Sequence, residues 1–148
     1  MAASAAMPGY GATLKYDTAG KGGTFASSAI ADIKSIGLPG FTSGAIDVTH
    51  LSSDNAYKEY IASGVVDAGE IALTCNFLPG THKTAFIDVM SSRKGWKITW
   101  TDTAGSGGDT WFFDGIVTRF QVTETGVDDA FTAQVSIKIS GIPTFTTV

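Results

Sequence analysis

Few side chains in this sequence have the type and spacing to do chemistry. The two histidines, His50 and His82, lie far apart in sequence, one at a strand end and one at a helix start. Each is read as a surface residue. Asp128–Asp129 lacks the alternating acidic spacing of a Ca²⁺ loop and reads as a solvated hairpin turn. "GSGGDT", Gly105–Thr110, has the glycines of a phosphate loop but not its Gly-Lys-Ser/Thr ending, and a strand rather than a helix follows it. The single Cys75 alternates with apolar residues, so it reads as a small buried hydrophobe, not a nucleophile. Lone cysteine also excludes an intramolecular disulfide framework and a Cys-rich zinc site. No catalytic, metal or cofactor site emerges, and the chain is not expected to be an enzyme.

Composition narrows the class further. With 148 residues, the chain fits one domain and one core. Hydrophobic residues make up 43% and charged residues only 16%, which is sparse for a surface that must stay monomeric. The net charge of −4 and the absence of a basic run argue against binding nucleic acid through its phosphates. The N-terminus "MAASAAMPGYG" has no basic start and no apolar segment, so it is not read as a signal peptide. No apolar run approaches the ~20 residues that span a bilayer. The expectation is a soluble protein made in the cytoplasm.

The elements that position these residues are mainly strands. Residues 1–12 are small and read as a flexible N-terminal arm. "TLKY" (13–16) reads as a short strand. "AIADIKSIGLPG" has Ile30, Ile33 and Ile36 spaced by three, yet its β-branched content and "LPG" turn favour a kinked strand. "GAIDVTHL" alternates Ile46 and Val48 with Asp47 and Thr49. Residues 49–69 read as a long inter-strand loop. "EIALTCNF" alternates cleanly. "THKTAFIDVMSSRKG" is the one helix, N-capped by Thr81, with Phe86, Val89 and Met90 as its apolar stripe and Gly95 as its C′ residue. "FTAQVSIKIS" puts Phe131, Ala133, Val135, Ile137 and Ile139 on a core face and Thr132, Gln134, Ser136 and Lys138 on a polar one.

"WFFDGIVTRFQV", Trp111–Val122, is apolar on both faces. A bulge at Asp114–Gly115 would resolve this, placing Trp111, Phe113, Ile116, Phe120 and Val122 on one face and Val117, Arg119, Gln121 and Thr123 on the other. Phe112 is then left over, and a neighbouring subunit is the candidate for covering it. The fold class that follows is mainly β: two packed antiparallel sheets, a β-sandwich, with one flanking α-helix.

In their order and spacing, several segments resemble the tail tube proteins (major tail proteins) of long-tailed bacteriophages of the lambda-like siphophage group. These are "IADIKSIGLPG", "IDVTHLSSD", "KEYIASGVVDAGEIALTCNFLPG", the single helix, the aromatic hairpin and the terminal "VSIKISGIPTF". The likeness covers about Ala29 to Phe145. It implies a virion protein that forms hexameric rings stacked into a hollow tube, with strands of six subunits closing one inner barrel. It also implies partners: other copies of itself, a tape-measure protein, tail-tip and terminator proteins, and DNA that passes through the lumen without specific binding. On this reading Tyr57, Glu59 and Tyr60 in the long loop contact an adjacent ring or subunit. Thr132, Gln134, Ser136 and Lys138 are the candidate lumen face, and Phe112 is a candidate subunit interface. The alternative reading is a monomeric β-sandwich binding module for a carbohydrate or receptor.

Overall fold

The computed structural model describes residues 11–100, 108–123 and 126–147. The expected arm at 1–12 therefore lies outside the described residues except for Gly11 and Ala12, as do the first three residues of Gly105–Thr110. Among the described residues there are eight strands: β1 (Thr13–Asp17), β2 (Ile33–Ile36), β3 (Thr42–Asp47), β4 (Tyr60–Asp67), β5 (Glu70–Asn76), β6 (Lys94–Thr99), β7 (Thr110–Thr123) and β8 (Thr132–Thr146). Six form one sheet in the order β1-β6-β7-β8-β5-β2, and β3 and β4 pair as a second, two-stranded sheet. Every neighbouring pair is antiparallel. The chain is mostly β with one short helix, as the alternation predicts.

The larger sheet curls until its two outermost regions meet. Ile30, just before β2, donates its N–H to the Leu14 carbonyl of β1 at 2.9 Å. Inward-facing side chains from β1, β5, β6, β7 and β8 thus share one core, which includes Leu14, Ile71, Trp96, Phe113 and Val135. Each such side chain contributes ~1.5–3 kcal/mol through burial. The polar/apolar alternation of β5 and β8 decides their facing: Ile71, Leu73 and Cys75 point inward, as do Ala133, Val135, Ile137 and Ile139. Phe131 departs from its predicted stripe. It precedes β8 and is 57% exposed.

Two apolar pairs spaced by three sit on strands, and in each a bulge explains the spacing. The β2–β5 register slips between Ile33 and Ser35, so Ile33 and Ile36 both pack on the core. In β7 the register against β8 slips between Val117 and Arg119, which brings Val117 and Phe120 to the same side. The bulge expected at Asp114–Gly115 is therefore misplaced. Phe113, Gly115 and Val117 alternate inward, whereas Ile116 is on the opposite, exposed face. Gly115 faces inward because Trp96 needs its space: a Cβ there would lie 3.2 Å from the indole, whose Nε1–H donates to the Gly115 carbonyl.

The helix also differs from its prediction. It begins earlier, as α1 (Pro79–His82), with Leu78 as N-cap and Pro79 in the first turn, where its missing N–H is no loss. Thr81 lies inside and caps nothing. The helix continues as one π turn, Lys83–Ile87, in which the Asp88 N–H reaches the Lys83 carbonyl, and then stops. Phe86 and Val89 are buried and Met90 packs on the core, so the stripe is as expected. Gly95 is not a helix C′ residue. It lies in β6, where a Cβ would meet Gly20 at 2.1 Å, because residues 17–25 cross directly over it.

Candidate assembly surfaces

Residues 49–69, expected as a loop, include a strand. β3 and β4 pair through Ala45–Ala62, Ile46–Ile61 and Asp47–Tyr60 and form an arm that leaves the main sheet. Every residue of β3 is exposed, and in β4 only Ser63 is partly covered. Ile46, Ile61, Val65 and Val66 therefore face solvent on a two-stranded ribbon. Such a ribbon is marginally stable at best in water without a covered apolar face.

The tip of the arm is nonetheless internally organised. Val48 donates its N–H to the Glu59 carbonyl, and the Glu59 N–H reaches the Thr49 hydroxyl at 2.8 Å. The Glu59 carboxylate accepts from the Ser53 hydroxyl and lies 3.6 Å from His50 Nε2. Thr49, through its hydroxyl and its amide, holds the Asp47 carboxyl below the usual carboxylate range. Of the three predicted contact residues, Glu59 is thus engaged within the tip, while Tyr57 and Tyr60 are exposed. At the base of the arm, the Gly69 N–H and then Lys138 hold Asp67 below its ordinary range, with Lys138 Nζ 3.2 Å away.

The predicted polar face is continuous across three strands. Thr132, Gln134, Ser136 and Lys138 oppose Asn76, Thr74, Ala72 and Glu70 of β5 on one side. On the other side, Thr123, Gln121 and Arg119 of β7 oppose Thr132, Gln134 and Ser136. All point away from the core. The face is rich in hydroxyls and amides, and its two cations are engaged: Lys138 with Asp67, and Arg119 donating to the Gln121 amide oxygen.

Phe112 is partly covered within its own chain. The Phe25 ring covers it at 5.6 Å, and Lys97 Nζ lies 5.3 Å from its centroid on the face opposite Phe113. Segment 17–25 is fixed there by two aspartates. Asp17 accepts the Ala19 and Phe25 N–H groups, which lower its pKa, and Asp114 accepts the Lys21 N–H at 2.8 Å.

His82 is not a surface residue. It is fully buried, its Nδ1 accepting the Leu78 N–H at 3.1 Å and its Nε2 donating to the Ala31 carbonyl at 3.0 Å. Cys75 Sγ lies 3.7 Å from His82 Nδ1, but burial pushes the thiol pKa up and no substrate can reach it. This pair therefore ties β5 to the helix. His50 is exposed at the arm tip, and no group of metal-binding side chains occurs among the described residues.

One tip residue was not singled out in the sequence: Leu51, completely exposed beside His50. Its signal was an isolated aliphatic residue between His50 and two serines.

Comparison with known proteins places this geometry. The family model for the lambda phage tail tube protein (TTP) matches residues 19–146. No curated protein matches the sequence. Among solved structures, the tail of an empty gene transfer agent particle, refined helically with C6 symmetry, is similar over 96% of this chain and 100% of its own, with a TM-score of 0.71 and 16% identity. The sheath–tube complex of the PVC extracellular contractile injection system, in its extended state, has a subunit similar over 97% of this chain and 93% of its own (TM-score 0.71, 14% identity). The SPP1 tail tube is similar over 97% and 80% (TM-score 0.64, 14% identity). At these identities the structures share a fold. With the family match across most of its length, the chain belongs to the lambda phage tail tube protein family, structural proteins of the virion rather than enzymes.

Proposed function

We propose that six copies of this chain close into a ring, that the rings stack into a hollow tail tube, and that the tube is the conduit for DNA ejection. The observation that carries this reading is the β3–β4 arm, a ribbon with large apolar side chains exposed and, among the described residues, no partner strand on either edge. Neighbouring copies would supply the cover that one chain lacks. The number six follows the C6 symmetry of the gene transfer agent tail. Tyr57 and Tyr60 contact an adjacent ring or subunit, and Glu59 holds the tip in shape for that contact.

Thr132, Gln134, Ser136 and Lys138 line the bore. A hydroxyl- and amide-rich surface whose cations are already engaged gives phosphates few partners, so DNA slides without sticking. A tape-measure protein and tail-tip and terminator proteins are the partners this role requires. In assembled tubes, cysteines introduced at Gln134 and Ser136 should react with small maleimides that enter the bore. Rapid reaction with a maleimide on a polymer too large to enter would sink the lumen assignment.

A further inference from the structure

The outward face of β1, β6, β7 and β8 carries an arrangement that the tube reading does not use. Leu14, Trp96, Ile98 and Phe113 point into the core, so the residues alternating with them point away from it. Strand register sets these outward residues in rows. Thr13, Thr99, Thr110 and Thr146 form one row. Lys15, Lys97, Phe112 and Thr144 form the next, and Asp17, Gly95, Asp114 and Ser140 the third.

Lys15 therefore stands directly opposite Lys97. Like charges so placed destabilise a sheet, with their Cβ atoms only about 4.5–5.5 Å apart. Among the described residues, no carboxylate forms an ion pair with either lysine. The two aspartates of the next row lie on the same face but are engaged elsewhere. Asp17 accepts the Ala19 and Phe25 N–H groups, and Asp114 accepts the Lys21 N–H. Segment 17–25 thus takes up with its own amides the carboxylates that would otherwise neutralise the lysine pair. Lys97 is also held in position, its Nζ 5.3 Å from the centroid of the Phe112 ring, on which Phe25 packs.

We propose that Lys15 and Lys97 together bind a free tetrahedral oxyanion of the phosphate or sulfate class. A dianion neutralises both ammonium groups at once, and its several oxygens accept charge-assisted hydrogen bonds from each. Thr13 and Thr99, two residues along their strands, add hydroxyl donors on the same face. A free anion fits better than a nucleic-acid strand, because the chain has a net charge of −4 and no run of basic residues to follow a phosphate backbone. The site belongs to the single chain and stands apart from the tube reading.

The test titrates isotope-labelled monomer with sodium phosphate at constant ionic strength, followed by amide NMR shifts. The amides of residues 13–15 and 97–99 should shift saturably with phosphate and not with sodium chloride. Lys15→Gln and Lys97→Gln should each weaken the affinity by about tenfold, the loss of one charge-assisted hydrogen bond. Lys83→Gln, which removes an ammonium already paired with Asp88, should bind as the parent does. Thermal melts give a second reading. In phosphate-free, low-salt buffer Lys15→Gln should melt at or above the parent, because the facing charge is gone; in phosphate the parent should melt higher. Shifts that do not saturate, shifts that persist unchanged in both variants, or a melting order unaffected by phosphate would overturn the proposal. Duplex DNA that binds the parent more tightly than phosphate, through the same two lysines, would overturn the assignment to a free anion.

Discussion

Gly115→Ala is a single-methyl test of how the core is built. In a strand, replacing Gly by Ala ordinarily stabilises by about 0.5–1 kcal/mol, because the unfolded chain loses freedom. Here the added Cβ would lie 2.7 Å from Ile137 Cγ2, 3.2 Å from Trp96 Cδ1 and 3.2 Å from the Lys138 carbonyl. Carbon pairs prefer about 3.5–4.0 Å. Neither neighbour has room to retreat. Ile137 is fully buried, and Trp96 is fully buried, stacked on Phe86 at 6.0 Å and hydrogen-bonded to the Gly115 carbonyl itself. Overpacking of this kind costs about 1–3 kcal/mol, so the net change is a destabilisation of about 1–2 kcal/mol. At about 2–4 °C per kcal/mol for a chain of this size, Tm should fall by about 2–8 °C. Thermal unfolding of the monomer, followed by tryptophan fluorescence, reads it. Ile116→Ala, on the opposite face, is the control and should shift stability by less than about 1 kcal/mol. A Gly115→Ala monomer as stable as the parent or more so would refute the placement of Gly115 beneath Trp96.

Other outcomes follow from the buried and charged groups. His82→Ala leaves the Leu78 N–H and the Ala31 carbonyl without their partner and should cost at least about 1–3 kcal/mol in urea unfolding. An unchanged midpoint would show that His82 does not join the helix start to residue 31. Asp17, Asp47 and Asp67 each have a folded pKa below the unfolded value of about 3.9. Their contribution is therefore present above that value and is lost as pH falls through the lower folded pKa. Monomer Tm should decline below about pH 4, and Asp67→Asn should lessen the decline; a Tm flat from pH 5 to 3 contradicts this. Cys75, buried with a raised pKa, should resist thiol reagents at neutral pH until the chain unfolds. Rapid labelling of the native monomer would show an open path to the core.

Much of the sheet was legible because alternation is a strong signal where one face is buried. Ile71, Leu73 and Cys75 on β5 and Ala133 to Ile139 on β8 face inward as their period of two dictates. Bulges are harder to place. A bulge in "WFFDGIVTRFQV" could follow either of two pairs spaced by three, Phe113–Ile116 or Val117–Phe120. Choosing the first overlooked that an inward glycine beneath a tryptophan keeps the simple alternation intact. His82 was misjudged, and the Phe25 cover of Phe112 missed, because their partners, Ala31 and Phe25, lie more than fifty residues away along the chain. The β4 half of the arm was read as a loop because its apolar residues are not covered by the chain that carries them, so they follow no internal core.

Helical reconstruction of the purified protein's polymer by electron cryomicroscopy tests the central claim most directly. The predicted result is a hollow tube of stacked six-fold rings, with Gln134 and Ser136 facing the axis and the β3–β4 arms covered by neighbouring copies. A monomer that stays monomeric at every concentration and salt, or a polymer whose polar β5–β8–β7 face lies on the outside, would contradict it.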